Sequence, residues 1–573
     1  MKTFRRFAST YDRLPTTTIK PPFFVFKGID SITNFIHQLP HGNLAFDVYP
    51  SVHIAPLLKQ LETRYVIIRM EDYYLPKTVM DAKVSPYLTT DRVFGNMNPI
   101  RLVDYLPEAQ LTLVKQRVFA EKKPVLIVGL GASLVDPQAL KVMVDCPRWE
   151  IQLQYRQGLN NFHTENAAED SLRKFKRGYF LDWVLGDAYK FEYFQSFNYF
   201  MDVSDPLQPT MIDQASMQQA IRQMIHQPFR LVPYFDPGIW GGQWMKEICQ
   251  LPKGPKNYAW AFDGVPEENS VRLSDGVHVY TMPAQNLVYF GKEILLGRHV
   301  YERFGSQFPI RFDFLDTMEG GHLSLQVHPK QAYIQANFGM PFTQDESYYI
   351  LDCLDDASVY LGVKEGINKD EFFNTLTLAN EGKLANPNIE QYVNAYRVKR
   401  HDHVSIPAGT IHCSGKNTMV LEISATPYIF TFKLWDWGRL GLDGLPRPVH
   451  LKHGRANLDI SRTTSFVEKE LMKAPEVIRD NEVRTGLHPS QFIETRRLTI
   501  TDKPMLVNTH GSVNMANVVE GDEVEIHSLN QSFVPFVVHY AETFIVPANV
   551  TEYYIKKLTP GIAMVVQAYV RLP

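Results

Sequence analysis

One short segment constrains this chain more than any other: residues 321–329, which read GHLSLQVHP. In a β-strand, alternate side chains point to opposite faces. The polar residues of the segment would therefore share one face, and the three aliphatic residues between them would fill the other. The polar set is His322, Ser324, Gln326 and His328. A row of metal-capable side chains opposite an apolar face predicts the wall of a metal-binding β-barrel.

Two further segments supply the ligand types that this strand lacks. Residues 345–351 read DESYYIL, which predicts a strand opened by carboxylates. Residues 406–412 read IPAGTIH, in which Pro and Gly predict a tight turn that delivers His412. The three segments together offer imidazole, carboxylate and amide groups within one predicted β-rich region.

These segments resemble the type I mannose-6-phosphate isomerases. That family reads Gln-x-His-Pro, then a Glu before an aromatic-rich strand, then Pro-Ala-Gly-Thr-x-His. The resemblance continues at residues 239–242 (IWGG), 419–423 (MVLEI) and 432–439 (FKLWDWGR), and it covers roughly residues 231–573. It implies that a metal ion is held by Gln326, His328, Glu346 and His412.

The implied ligand set also indicates the type of metal site. Two imidazoles, one carboxylate and one amide oxygen leave a divalent ion electron-poor, which suits a Lewis acid. No cysteine takes part, so a structural zinc site is not expected. Zinc is the predicted cofactor, and manganese, iron and cobalt remain alternatives.

The resemblance implies an aldose–ketose isomerase that interconverts mannose 6-phosphate and fructose 6-phosphate through an enediol or enediolate intermediate. Such a reaction needs positive charge near the substrate oxygens and a base for the carbon proton. Lys433 and Arg439 lie in the matching motif and are predicted catalytic cations. Glu422 is predicted to face the site as a base or an orienting group, with an ordinary rim carboxylate as the alternative.

The chain departs from the family pattern at three points. Lys433 stands where the family usually has Arg, and Lys lacks the planar bidentate fork. Gln344 stands where a Lys is usual, and residues 424–432 contain no carboxylate where an Asp is usual. These departures support a second hypothesis, that the chain is a non-catalytic, metal-containing sugar-phosphate sensor or regulatory protein.

The first part of the chain alternates apolar strands with helical stretches. The predicted strands are residues 44–46, 65–68 and 125–128, and the predicted helices include residues 54–62 and 107–118. This alternation is typical of a parallel sheet with crossover helices.

Residues 43–58 have the strand, loop and helix layout of a nucleoside-kinase P-loop, but the glycines and the lysine are absent. A P-loop holds phosphates with bare backbone amides and a lysine. The segment is therefore interpreted as part of a degenerate kinase-like domain, and a bifunctional kinase–isomerase is disfavoured.

The sequence predicts a multidomain protein, α/β followed by mainly β. Residues 1–228 are predicted to form the parallel-sheet α/β domain. Residues 229–460 are predicted to form a metal-binding cupin-like barrel with a helical insertion at about residues 365–395, and residues 461–573 a second cupin-like barrel without metal.

The two predicted barrels are linked by a weak internal repeat. Residues 405–412 read SIPAGTIH, and residues 545–552 read IVPANVTE. Glu552 replaces His412 at the end of the second copy, which is why the second barrel is predicted to hold no metal.

Composition limits the partners. The net charge of −3 gives no field that would attract nucleic acid or an anionic membrane. The four cysteines are scattered and form no C-x-x-C pair, which favours the cytoplasm. No apolar run approaches the ~18 residues of a membrane span. The expected partner is a small-molecule sugar phosphate, with no nucleic acid and no membrane.

Overall fold

The chain forms two compact units. The first, here called the α/β unit, contains Thr16–Met224 and Glu267–Phe290, and the second, the β unit, contains the other described residues. No helix among the described residues is both long and apolar enough to cross a membrane. The computed structural model describes residues 4–40, 42–425, 428, 430–442, 444–445, 447–486 and 488–571.

Strands and helices alternate through the first part of the chain. Its strands are β1 (Thr16–Thr18), β2 (Phe26–Lys27), β3 (Leu44–Val48), β4 (Val66–Arg69), β5 (Val125–Val128), β6 (Leu140–Asp145), β7 (Tyr199–Asp202) and β8 (Thr210–Asp213). Its helices are α1 (Ile29–Gln38), α2 (Ala55–Leu61), α3 (Lys77–Leu88), α4 (Leu102–Tyr105), α5 (Glu108–Phe119), α6 (Arg148–Arg156), α7 (Ser171–Arg177), α8 (Trp183–Tyr193) and α9 (Gln214–Met224).

The α/β unit is built on a seven-stranded sheet of order β2-β8-β7-β6-β3-β5-β4. Strands β3 to β7 run parallel, as the sequence predicts, and β8 and β2 close one edge antiparallel. All four residues of β5 are buried, because helices cover both faces of a parallel sheet. Strand order reverses at β3: the next strands, β4 and β5, lie on one side of it, and the later strands β6, β7 and β8 lie on the other.

The middle of the chain is mainly β. Its strands are β9 (Tyr234–Asp236), β10 (Trp260–Gly264), β11 (Ser270–Ser274), β12 (Val279–Pro283), β13 (Arg311–Asp316), β14 (Leu325–Val327), β15 (Asp345–Cys353), β16 (Ser358–Val363), β17 (Val393–Arg397), β18 (His403–Ile406), β19 (His412–Ser414), β20 (Thr418–Ala425) and β21 (Phe432–Trp435). Its helices are α10 (Trp244–Ile248), α11 (Gln285–Leu296, interrupted at Lys292), α12 (Arg298–Phe304), α13 (Gln331–Phe338) and α14 (Lys369–Asn380).

These strands form the first barrel of the β unit from two sheets. One has the order β18-β15-β20-β13-β10-β9 and the other β17-β16-β19-β14-β21. Strands β11 and β12 instead join β1 in a small sheet of the α/β unit.

The last part of the chain forms a second pair of sheets. It begins with the short helices α15 (Leu451–Asn457) and α16 (Thr464–Phe466). The strands are β22 (Glu476–Arg479), β23 (Glu482–Thr485), β24 (Ile493–Ile500), β25 (Met505–Asn508), β26 (Asn514–Glu520), β27 (Glu523–Ser528), β28 (Phe536–His539), β29 (Thr543–Val546), β30 (Glu552–Lys557) and β31 (Ala563–Val570). The sheets have the orders β22-β23-β24-β31-β26-β29 and β25-β30-β27-β28 and enclose an apolar core.

Two predicted segments are shorter in the structure. The strand expected over residues 321–329 is regular only over β14, which is broken by a register shift against β21. The helical insertion expected over residues 365–395 is helical mainly over α14, because Gly382 adopts φ +72° just after the helix and β17 already begins at Val393.

The internal repeat has a strand–turn–strand layout in both copies. In the first, β18 leads through a Pro-Ala turn into β19, and in the second β29 leads through the 3-10 turn Ala548–Val550 into β30. His412 is fully buried at the start of β19, whereas Glu552 at the start of β30 is half-buried. The two turns differ in backbone geometry, with a positive φ at Gly409 in the first copy and at Thr551 in the second, and they deliver different side chains.

The apolar interior of the second sheet pair predicts a clear stability effect. Ile555 on β30 is completely buried, and truncation to alanine would cost about 2–5 kcal/mol of unfolding free energy because a cavity remains. Ile555→Ala should therefore lower the urea midpoint of the transition that unfolds this part of the chain. Ile562→Ala is the matched control, since Ile562 is 54% exposed and its truncation should leave that midpoint almost unchanged.

Candidate metal centre

The four predicted ligands converge inside the first barrel from both of its sheets. Gln326 on β14 lies directly opposite His412 on β19, so the two side chains share a face. His328 follows β14 by one residue, and Glu346 comes from β15 of the other sheet. None of the four side chains is more than 7% exposed.

The carboxylate of Glu346 lies between the two imidazoles. Its Oε1 is 2.8 Å from His412 Nε2, and its Oε2 is 3.0 Å from His328 Nε2. The three residues each offer a ligand atom within 4.8 Å of the others, and no second such group of His, Cys, Asp or Glu occurs in the described part of the chain. Gln326 Nε2 lies 3.2 Å from His412 Nε2, and a half-turn of the amide exchanges it with the oxygen that a metal would take.

Hydrogen bonds to the backbone fix the tautomer of both histidines. His328 Nδ1 donates to the carbonyl of Phe430 and His412 Nδ1 to that of Thr410, each over 2.9 Å. In a neutral imidazole the lone pair is then on Nε2, the atom that faces Glu346. His328 Nε2 and Glu346 Oε1 make no hydrogen bond within the described residues. Acceptors that point at one another in a buried space fit a divalent cation.

The pKa values of Glu346 and His328 are shifted by the same close contact between carboxylate and imidazole. Burial acts to raise the pKa of Glu346, but His328 and His412 hold it well below its ordinary value. Burial acts to lower the pKa of His328, and the charge of Glu346 more than offsets this and raises it. The carboxylate therefore stays ionised inside the barrel and attracts positive charge.

Two glutamines hold Glu346 in place. Gln344 Nε2 donates to the carboxylate Oε2 over 3.0 Å, and Gln491 Nε2 donates to the main-chain carbonyl over 2.9 Å. Gln344, which departs from the family pattern, therefore contacts the carboxylate of a predicted ligand. Its amide is neutral, whereas the resemblance leads one to expect a cation at this position. Such supporting donors orient a metal ligand and tune its charge.

Glu422 faces the same interior as the ligands. In the register of β15 with β20 it lies opposite Tyr348, while Glu346 lies opposite Ser424, so all four side chains share one face. Burial raises the pKa of Glu422 well above its ordinary value, and the charges of Glu346 and Asp313 add to the effect.

The two predicted catalytic cations occupy different surroundings. Lys433 on β21 lies opposite Gln326 and is half-buried on the same face. Arg439 forms an ion pair with Asp436 at 2.5 Å, and Asp436 also pairs with Arg447 at 2.8 Å. No contact between described residues joins Arg439 to the four ligands, so the structure brings Lys433, but not Arg439, next to a ligand.

Sequence reasoning missed a buried cation on β13. Arg311 lies opposite Ser424, and Asp313 opposite Glu422, which places both on the interior face; Arg311 is only 3% exposed. The signal was the alternating pattern RFDFLD of this strand, in which charged residues occupy every second position at its start.

Comparisons with known proteins give matches of three kinds. A family model described as a domain of unknown function (DUF8485) matches residues 28–226. The chain is 27% identical over 260 residues to mannose-6-phosphate isomerase ManA of Bacillus subtilis, which covers 44% of this chain and 74% of that protein. It is 26% identical over 244 residues to a mannose-6-phosphate isomerase of Streptococcus mutans, covering 41% and 69%. Over less than half its length, the chain is homologous to mannose-6-phosphate isomerases.

Solved structures of similarly named proteins also match. A crystal structure of mannose 6-phosphate isomerase from Bacillus subtilis aligns with a TM-score of 0.47 and 20% identity, covering 60% of this chain and 100% of that chain. A putative mannosephosphate isomerase from Archaeoglobus fulgidus aligns with a TM-score of 0.46 and 14% identity, covering 61% and 98%.

The geometry predicts which histidines retain metal. His412→Ala removes one buried donor and should weaken divalent metal binding by about 10–100-fold or more, because even supporting residues of metal sites have effects of that size. Metal content after dialysis against a weak chelator, measured by mass spectrometry, tests this. His322→Ala is the matched control: His322 lies in the same polar segment, but its Nδ1 accepts from the backbone N–H of Lys416, and its loss should leave the metal content unchanged.

Proposed function

We propose that the β unit is a metal-dependent aldose–ketose isomerase that interconverts mannose 6-phosphate and fructose 6-phosphate through an enediol or enediolate intermediate. The observation that carries this proposal is the convergence of two Nε2 lone pairs on the buried carboxylate of Glu346. The homology with mannose-6-phosphate isomerases over 44% of the chain supports the choice of reaction.

Zinc is the proposed metal, and the residues that would hold it are Gln326, His328, Glu346 and His412. When bound, it supplies a Lewis acid that stabilises negative charge on a substrate oxygen. The protein fixes both imidazoles through their Nδ1–H groups and holds Glu346 through the two glutamine amides. The ligand set is thereby oriented before substrate arrives.

Side chains on the interior face of the barrel are proposed to transfer the proton and to bind the phosphate of the substrate. Glu422 shares the interior face with Glu346, burial raises its pKa well above the ordinary value, and its carboxyl group can pass a proton to a substrate oxygen. A dianionic phosphate needs cations, and Lys433 and Arg311 are the two whose strand positions face the interior. Arg439 is the other cation predicted from the sequence; through Asp436 it would act on the position of the β21 segment.

One observation favours the second candidate, a non-catalytic sugar-phosphate sensor. At two positions next to metal ligands, Gln344 and Lys433 stand where the resemblance leads one to expect Lys and Arg. Gln344 donates a hydrogen bond to Glu346, and its neutral amide offers no positive charge that could bind the substrate phosphate. Such a site could hold metal and ligand without turnover.

The α/β unit fits a degenerate kinase-like domain without a nucleotide site. In doubly wound sheets, ligands bind at the carboxyl ends of the strands where the strand order reverses, which here is beside β3. Lys190 lies there, 2.9 Å from Asp145 at the end of β6 and above the ring of Tyr49 just after β3. The presence of this buried ion pair where a ligand would bind supports the proposal.

The proposed activity predicts fructose 6-phosphate formation from mannose 6-phosphate by metal-loaded protein in a coupled assay. His412→Ala should abolish turnover, and His322→Ala should retain it. Absence of turnover in the parent protein, with metal still bound, would contradict the isomerase and favour the sensor.

Lys433→Arg separates the two candidates further. In an isomerase, the bidentate guanidinium would stabilise the transition state differently from the ammonium, so kcat should change. In a sensor, only the affinity for mannose 6-phosphate should change, measured by calorimetry. Lys383→Arg is the control, because Lys383 is an exposed cation paired with Glu381 on the surface.

A further inference from the structure

A cavity of about 400 Å³ lies within the β unit, outside the metal centre. The turn before β18 forms one wall, the segment before β22 a second, and the end of β23 with Arg497 of β24 the remainder. This volume falls in the range of sites that hold small molecules.

The cavity wall is strongly cationic. Four Lys or Arg residues line it against one carboxylate, that of Asp402. Two of the cations have acidic partners: Arg400 pairs with Glu520, and Lys473 lies 2.7 Å from Glu470. The charge of the wall therefore depends on the other two cations.

Lys399 and Arg497 are the cations available to a ligand. Arg497 Nη1 donates to the carbonyl of His401 over 3.1 Å. Neither side chain lies within ion-pair distance of a carboxylate among the residues that the structure describes. Two cations that share a partly enclosed space repel one another, and an anion between them would relieve that repulsion.

The floor of the cavity adds no negative charge. His403 is buried and held by Thr485 and Ser347, with its ring nitrogens 2.8 and 2.9 Å from their hydroxyl oxygens. Burial, and then the charge of Arg497, lower the pKa of His403 to about 3, so the ring is neutral at ordinary pH. A neutral floor leaves the carboxylate of Asp402 as the negative charge of the lining beside Lys399 and Arg497.

We propose that this cavity binds a small metabolite through a phosphate group, held by Lys399 and the planar fork of Arg497. Arg and Lys together favour phosphate because the fork binds two oxygens and the ammonium a third. The site is distinct from the metal centre: Tyr349, opposite His403, lies three residues along β15 from Glu346, about 10 Å away, and points to the other face of the sheet.

The test is calorimetry with pyrophosphate on the full, metal-loaded chain. Lys399→Met and Arg497→Met should each weaken binding about tenfold, the loss expected for one contact to a charged group. Lys399 is exposed, so its variant folds even if Arg497→Met does not. Lys383→Met, an exposed cation outside the cavity, should bind pyrophosphate as the parent does.

Two further arms identify the source of the phosphate. His412→Ala should keep pyrophosphate binding at the cavity, which separates this site from the metal centre and from the proposed isomerase activity. Mannose 6-phosphate and adenosine 5′-monophosphate, each titrated into His412→Ala, distinguish a sugar phosphate from a nucleotide. No binding of pyrophosphate, or equal affinity in the parent, Lys399→Met and Arg497→Met, would overturn the proposal.

Discussion

The interaction on which the first barrel depends is the enclosure of the Glu346 carboxylate between two imidazoles. An isolated carboxylate at zero exposure would cost several kcal/mol to desolvate, and it is tolerated only because positive charge or donors surround it. Glu346 belongs to one sheet, and Gln326 and His412 belong to the other. The same contact therefore joins the two sheets of the barrel and defines its chemistry.

Residues of the second sheet pair hold the segment that carries Glu346 in place. Gln491 reaches the main chain of Glu346, and Thr485 holds His403, which in turn contacts Ser347 beside Glu346. Along β15 the side chains alternate between the interior that holds the predicted ligands and this polar seam. The second sheet pair thus contributes to the position of Glu346, a predicted ligand, in the first barrel.

Local sequence pattern predicted much of the candidate site, because each of its ligands lies in a short motif with its own geometry. The Pro-Ala-Gly turn before His412 and the strand that begins at Asp345 are read directly from residue type. Strand pairing is not local: the register shift between β14 and β21, and the row that aligns Arg311 with Ser424 and Glu346, depend on partners distant in the chain. The parallel sheet was predictable because buried apolar strands such as β5 are bounded by helical segments, whereas the short helix α14 ends where a glycine takes a positive φ.

The ion pair at the carboxyl edge of the α/β unit bears on how such a domain changes over evolution. Introducing glycines and a lysine into the loop after β3 would not create a phosphate site, because Lys190 would still lie beside Asp145. Removing Lys190 alone would leave the charge of Asp145 buried without its cation. The loss in free energy of unfolding would be comparable to much of the stability of a domain. Lys190 and Asp145 can therefore be replaced together at less cost than either can be replaced alone.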